Sequence, residues 1–244
     1  MKYPLLVPGL FTLFALAAVG TPPPAREGTE WCDLRITHAN ENKLPRVLLL
    51  GDSITSNYFG PVEKRLADKA YVNRLTTSAF LSDPVLLTQI AMVLDMAHYD
   101  VIHFNNGMHG WQHSEEEYRN AFPTVLATIR QHAPDAKLIW ASTTSLKIDT
   151  ASAGSHAPSE AGAADAGKLM LQADLRQVSD ARIVARNAIG AAIMQRENIP
   201  VDDLHALTVG RPELHSDNVH FKSAGTDLQG EQVAKEILKQ LPPR

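Results

Sequence analysis

Within the 244-residue chain, Arg46-Val47-Leu48-Leu49-Leu50 constrains the fold more than any other stretch. It is a short, unbroken apolar run closed by Gly51. It lacks the alternation of a strand with one wet face, so it reads as a strand buried on both sides. Strands of that kind belong to parallel sheets whose crossovers carry helices. The remaining sequence has the matching alternation. Helices are predicted over 58–68, 84–96, 114–132, 182–197 and 225–241, strands over 70–74, 100–104 and 137–141 (KLIWA), and a short edge segment over 199–204. Residues 150–166 are small and weakly patterned, which predicts a surface loop running into a helix at 167–172. The expectation is one α/β domain with a central, mostly parallel sheet and helices on both faces.

The start of the chain is different in kind. Residues 4–20 are apolar and uncharged behind Lys2, and small residues follow, with Ala18-Val19-Gly20 or Ala15-Leu16-Ala17 as cleavage signals. This is the pattern of an export signal peptide over 1–20. The alternative is an uncleaved membrane anchor, although the run is short for a span and holds Pro8 and Gly9. A Pro-rich linker is expected over 21–30 and the folded domain from about residue 31.

Charge and cysteine content narrow the function classes. The chain carries 23 Lys and Arg against 27 Asp and Glu, a net charge of −4, and removal of Lys2 with the leader makes it −5. That balance argues against nucleic acid as a partner. Membrane contact is expected only through the leader. Cys32 is the single cysteine, so no intramolecular disulfide can form and the core must supply the stability. It is expected to be a small buried residue.

Ser53 stands directly after the first strand in Leu50-Gly51-Asp52-Ser53-Ile54-Thr55. Parallel sheets build their sites at that end. Gly51 is expected to permit a tight turn, and the amides opening the next helix would face an anion forming at Ser53. Alone, the triplet also describes a turn with an N-cap. Near the other end, His215-Ser216-Asp217-Asn218-Val219-His220-Phe221 places an acid and an imidazole three residues apart. In a tight turn the carboxylate can accept from one ring nitrogen while the other faces a serine hydroxyl, which needs such a base to become a nucleophile. His220 is preferred to His215 as the base for its spacing from Asp217 and its apolar neighbours Val219 and Phe221.

The two blocks together resemble the GDSL lipase/esterase family, also called SGNH hydrolases, and the resemblance covers nearly the whole domain over 31–244. It implies a flavodoxin-like three-layer α/β/α sandwich and a triad of Ser53, Asp217 and His220. No cofactor or metal is implied. The family's second block, a Gly amide after the second strand, resembles Val72-Asn73-Arg74-Leu75-Thr76-Thr77-Ser78, with Ser78 at the glycine's place. Its third block, Gly-x-Asn-Asp, falls on Gly107-Met108-His109-Gly110, with His109 where Asn is usual. The resemblance thus implies an oxyanion hole from the Ser53 and Ser78 amides and a third donor, which is His109 through a ring N–H, or Asn105 or Asn106 through an amide. Asn105 and Asn106 read equally well as loop stitching.

His103, His109 and His113 lack the spacing of zinc motifs, and His103 is expected to be half-buried in a strand. Trp140 is expected in the core, Trp31 at the domain's start and Trp111 lining the cleft. The function implied is an exported serine esterase using an acyl-enzyme, acting on short-chain or carbohydrate O-acetyl esters. Acyl transfer or lysophospholipase-type hydrolysis on the same triad, and a non-catalytic glycan-binding relative, are the alternatives.

Overall fold

A computed structural model of the chain describes residues 24–147 and 179–242. The predicted leader, the first residues of the linker and the predicted loop and helix over 150–172 lie outside the described residues.

Six strands form one sheet: β1 (Cys32–Arg35), β2 (Arg46–Gly51), β3 (Tyr71–Thr77), β4 (Val101–Phe104), β5 (Lys137–Ala141) and β6 (Val201–Asp202), in the order β1-β3-β2-β4-β5-β6. All neighbours are parallel except β1, which runs antiparallel to β3 with Cys32 opposite Thr77. The helices are α1 (Ser53–Leu66), α2 (Pro84–Met96), α3 (Glu115–His132), α4 (Asp180–Glu197), α5 (Leu204–Thr208) and α6 (Ser223–Leu238).

β2 is buried at every position and carries two cores at once. Val47 and Leu49 face α1 and α6 through Tyr58, Phe59, Val62, Val233 and Ile237. Leu48 and Leu50 face α2, α3 and α4 through Ile90, Val93, Phe122 and Met194. This is the three-layer α/β/α arrangement, and it follows from the strand's period of two. The helices bury apolar stripes at helical spacing, as with Leu86, Ile90, Val93 and Leu94 of α2. Trp140, fully buried, lies in the second of these cores.

The chain leaves β2 toward β3 and then crosses back to β4 on its other side. The loops after β2 and β4 therefore diverge at the carboxyl edge of the sheet, where the order reverses and ligand crevices form. Ser53 begins α1 at that edge.

Three expectations are corrected here. α1 begins at Ser53 rather than 58, because Asp52 caps it: Oδ1 accepts the Ile54 N–H at 2.9 Å. Gly51 has no left-handed torsion; its role is space, because a Cβ there would collide with Thr55. Cys32 is exposed, since β1 is an edge strand with no buried face. No helix among the described residues is long and apolar enough to cross a membrane.

Candidate active site

The loop between Leu214 and Lys222 is a tight hairpin closed by main-chain bonds from Ser216 N–H to the His220 carbonyl (2.9 Å) and from Lys222 N–H to the Leu214 carbonyl (2.8 Å). Within it Asp217 accepts the main-chain N–H of His220 at 2.7 Å and of Val219 at 2.8 Å. The same carboxylate lies 3.0 Å from His220 Nδ1. The opposite ring nitrogen, Nε2, sits 3.0 Å from Ser53 Oγ. Residues 167 positions apart in sequence thus meet in a Ser–His–Asp relay, with Nδ1–H donated to Asp217 and the Nε2 lone pair facing the hydroxyl. The His220 amide, with help from the Val219 amide and the imidazole and against some desolvation, holds the Asp217 carboxyl down at a pKa of about 2. It is therefore charged wherever the imidazole needs a partner. Lys147 N–H donates to the Asn218 carbonyl at 2.9 Å and ties the hairpin to the segment after β5.

His215 is not turned to this relay. It is buried, bridges to Phe221 across the hairpin, and packs against that ring at a tilt of 38°, 4.1 Å between centroids. Desolvation and nearby Lys147 lower its pKa.

The expected oxyanion donors are placed unevenly. Ser53 opens α1, so its N–H has no acceptor within the helix. The Ser78 N–H is engaged, donating to the Trp31 carbonyl at 3.1 Å, while its Oγ accepts from Trp31 N–H at 2.8 Å and donates to Glu30 at 2.7 Å. This corrects the expectation of an open Ser78 amide, and the cause is the segment leading into β1, which lies along the end of β3. Asn105 spends its amide on the Ala141 carbonyl (2.7 Å) and Thr143 Oγ1 (3.3 Å). Asn106 donates to the Ala79 carbonyl at 2.8 Å. Both stitch the loop after β4 to its surroundings.

His109 is arranged differently. Its Nδ1 lies 3.0 Å from both carboxylate oxygens of Glu27, and its buried Nε2 has no partner. Trp31 packs edge-on against the ring at 6.2 Å between centroids. Desolvation opposes the charged imidazole, but the Glu27 bond and the fields of Asp52, Glu27 and Glu30 outweigh it, so the pKa is raised. Asp52, next to Ser53, is fully buried with one oxygen unpartnered. Desolvation raises its pKa, against the field of His109, the bonds from the Ile54 and Thr55 amides and the field of His220.

Sequence reasoning missed the residues that shape the loop bearing His109. From α4, the buried Arg186 donates to the carbonyls of His109 (2.9 Å), Gly110 (2.8 Å), His113 (3.2 Å) and Gly107 (3.3 Å). Arg182, one turn earlier, donates to the carbonyls of Trp111 (2.8 Å) and His113 (2.7 Å) and to Glu115 (2.6 Å). Trp111 is buried beneath both guanidiniums, 4.3 Å from that of Arg186, so it supports the loop instead of lining a cleft. Gly110 has φ +73° and meets the Phe80 ring so closely that no side chain fits. The signal in the sequence was two arginines four apart on one helix, which is indistinguishable there from a solvated face.

No group of three or more His, Cys, Asp or Glu able to hold a metal occurs among the described residues. His103, fully buried rather than half-buried, pairs with Asp202 at 3.0 Å. His113 lies 3.1 Å from Glu117 and 3.0 Å from the Ala25 carbonyl.

The sequence matches no protein-family model and no curated protein. Solved structures do match. A lipase/acylhydrolase from Enterococcus faecalis aligns with TM-score 0.57 at 18% identity, covering 82% of this chain and 99% of that one. A carbohydrate esterase family 3 structure from Talaromyces cellulolyticus aligns with TM-score 0.56 at 15% identity, over 80% and 97%. The C-terminal catalytic domain of peptidoglycan O-acetyltransferase A from Streptococcus pneumoniae aligns with TM-score 0.55 at 14% identity, over 82% and 97%. The chain has the fold of the SGNH/GDSL hydrolases, a three-layer α/β/α sandwich around a mostly parallel sheet.

Proposed function

We propose that the chain is a serine esterase of the SGNH/GDSL family, exported by its leader and acting through an acyl-enzyme. The observation that carries this reading is the 3.0 Å approach of Ser53 Oγ to His220 Nε2, with Asp217 behind the ring at 3.0 Å. Ser53 Oγ attacks the ester carbonyl carbon as its proton passes to His220 Nε2, and the carbonyl electron pair moves onto oxygen. When that tetrahedral intermediate collapses, His220 returns the proton to the departing alcohol, leaving acyl-Ser53. Water then repeats the sequence: His220 takes its proton, the hydroxide carbon bond forms, and the carboxylic acid leaves Ser53 reprotonated. The Ser53 N–H and the ring N–H at Nε2 of a protonated His109 receive the oxyanion.

A short acyl group on a carbohydrate oxygen is the substrate class this reading favours, supported by the leader and by the fold shared with a carbohydrate esterase structure. The likeness to an O-acetyltransferase domain supports transfer to a sugar hydroxyl as the second reading. Ser53→Ala should abolish hydrolysis of an aryl acetate, and an aryl phosphonate should label the wild type at Ser53. An unlabelled serine would point instead to a glycan-binding domain without catalysis. Product analysis with and without an acceptor sugar separates hydrolysis from transfer.

A further inference from the structure

We infer that Glu27, in the segment that precedes β1, is a positioning residue for the oxyanion hole, holding the His109 ring so that Nε2 presents a proton to the substrate oxygen. The inference rests on the esterase reading above. Four contacts seat the segment against the site: Arg26 pairs with Asp83 through two bonds (2.7 and 2.9 Å), Glu27 with His109, Glu30 with Ser78, and the Ala25 carbonyl with His113. Among them, only the Glu27 contact leads to a buried polar atom with nothing to bind, His109 Nε2.

The group at Nδ1 decides what Nε2 carries. With Nδ1–H given to Glu27, a neutral His109 has only a lone pair at Nε2 and would repel an oxyanion, whereas the imidazolium has an N–H there. A Glu27 carboxylate favours the imidazolium, in keeping with the raised proton affinity of the ring. Other charged groups facing His109 are Glu30 from the same segment, Asp52 from the turn before α1, and Arg186 of α4, which donates to the His109 carbonyl. The acids favour the charged ring. An amide side chain at this position donates without help from a neighbour. A histidine whose Nδ1–H is given to an acceptor does so only as the imidazolium, which a carboxylate at Nδ1 favours. The docked segment also engages the Ser78 amide, so one donor is lost and a charged one replaces it.

The test uses the full chain and four proteins: wild type, Glu27→Gln, His109→Asn, and the double variant. Steady-state hydrolysis of an aryl acetate and the rate of Ser53 phosphonylation are followed from pH 5 to 10, with thermal unfolding as the control for folding. Glu27→Gln should lower kcat and the phosphonylation rate on the order of 10²-fold with KM nearly unchanged, because the lost interaction forms only with the developing oxyanion. Its high-pH loss of activity should move to lower pH, since the ring now releases its Nε2 proton more readily. In the His109→Asn background the same Glu27 substitution should change neither rate. Equal losses in both backgrounds, or a folded Glu27→Gln with wild-type rates and pH profile, would overturn the inference. Should Glu27→Gln not fold, wild-type-like rates in His109→Ala would overturn it, and a 10²-fold loss there with His109→Asn active would support it. Failure of the esterase reading is seen separately, as a wild-type Ser53 that no phosphonate labels.

Discussion

Arg186 of α4 donates to the main-chain carbonyl of His109 at 2.9 Å, and through that bond a helix late in the chain shapes the loop after β4. The guanidinium is buried, spans four carbonyls and lies over Trp111 and Tyr118. Removing it takes this donor from the Gly107, His109 and Gly110 carbonyls in a largely dry setting, while the His113 carbonyl keeps its bond from Arg182. Arg186→Met should therefore destabilise the fold by about 3 kcal/mol, read by urea unfolding, and lower kcat for an aryl acetate by more than it changes KM.

Asp217 is half exposed and fixed by two main-chain amides, so its value to folding is small and its value to the relay large. Asp217→Asn should lower kcat on the order of 10⁴-fold through the wrong ring tautomer. Its effect on unfolding free energy should stay within about 1 kcal/mol. A kcat within tenfold of wild type would show that the ring is oriented by something else.

Gly51 leaves room for Thr55 as α1 rises from the strand. Gly51→Ala forces Thr55 and the first turn of α1 outward, at a cost of about 1–3 kcal/mol. Because Ser53 is on that turn, phosphonylation should slow far more than stability alone explains. Comparison of labelling rate with melting temperature checks this.

Ser114 caps α3 in a reciprocal box, its Oγ accepting the Glu117 N–H at 3.2 Å while Glu117 accepts the Ser114 N–H at 2.8 Å. The Ser114 amide, and after it the bonds from His113 and from the Ser114 hydroxyl, hold the Glu117 carboxyl down to a pKa of about 2. A depressed carboxyl stabilises the fold above its unfolded pKa and stops doing so as pH falls through the folded value. Ser114→Ala should cost about 1 kcal/mol at pH 7. The difference from wild type should shrink between pH 4 and 2, measured as urea midpoints.

Cys32 lies exposed on the edge strand, not in the core. It should react with one equivalent of a maleimide in the native protein, without loss of ellipticity. Modification only after unfolding would contradict the position of β1.

Much of the architecture was legible because it is written locally. The unbroken run of β2, the stripe of α2 and the KLIWA strand each carry their own period, and α2 and β5 have the boundaries read from sequence. The candidate relay was legible too, since Ser53 follows a strand whose end must face the crevice, and Asp217 and His220 are near enough in sequence for one turn to orient both. β1 was not legible: Cys32-Asp33-Leu34-Arg35 has no apolar face, because an edge strand that pairs on one side and faces water owes its place to main-chain bonds with β3.

Sequence alone thus determined the parallel sheet, its helical layers and the pairing of Asp217 with His220, because those depend on side-chain periodicity and spacing within a single turn, whereas joining Ser53 to that pair rested on the resemblance of the two blocks to a known family. Tertiary structure alone decided which polar groups expected as oxyanion donors are free. The engaged Ser78 amide, the stitched Asn105 and Asn106, the Glu27–His109 pair and the Arg186 clamp all join residues 27 to 82 positions apart. Whether a polar group there is free or satisfied depends on which distant partner packs against it, and no local pattern records that.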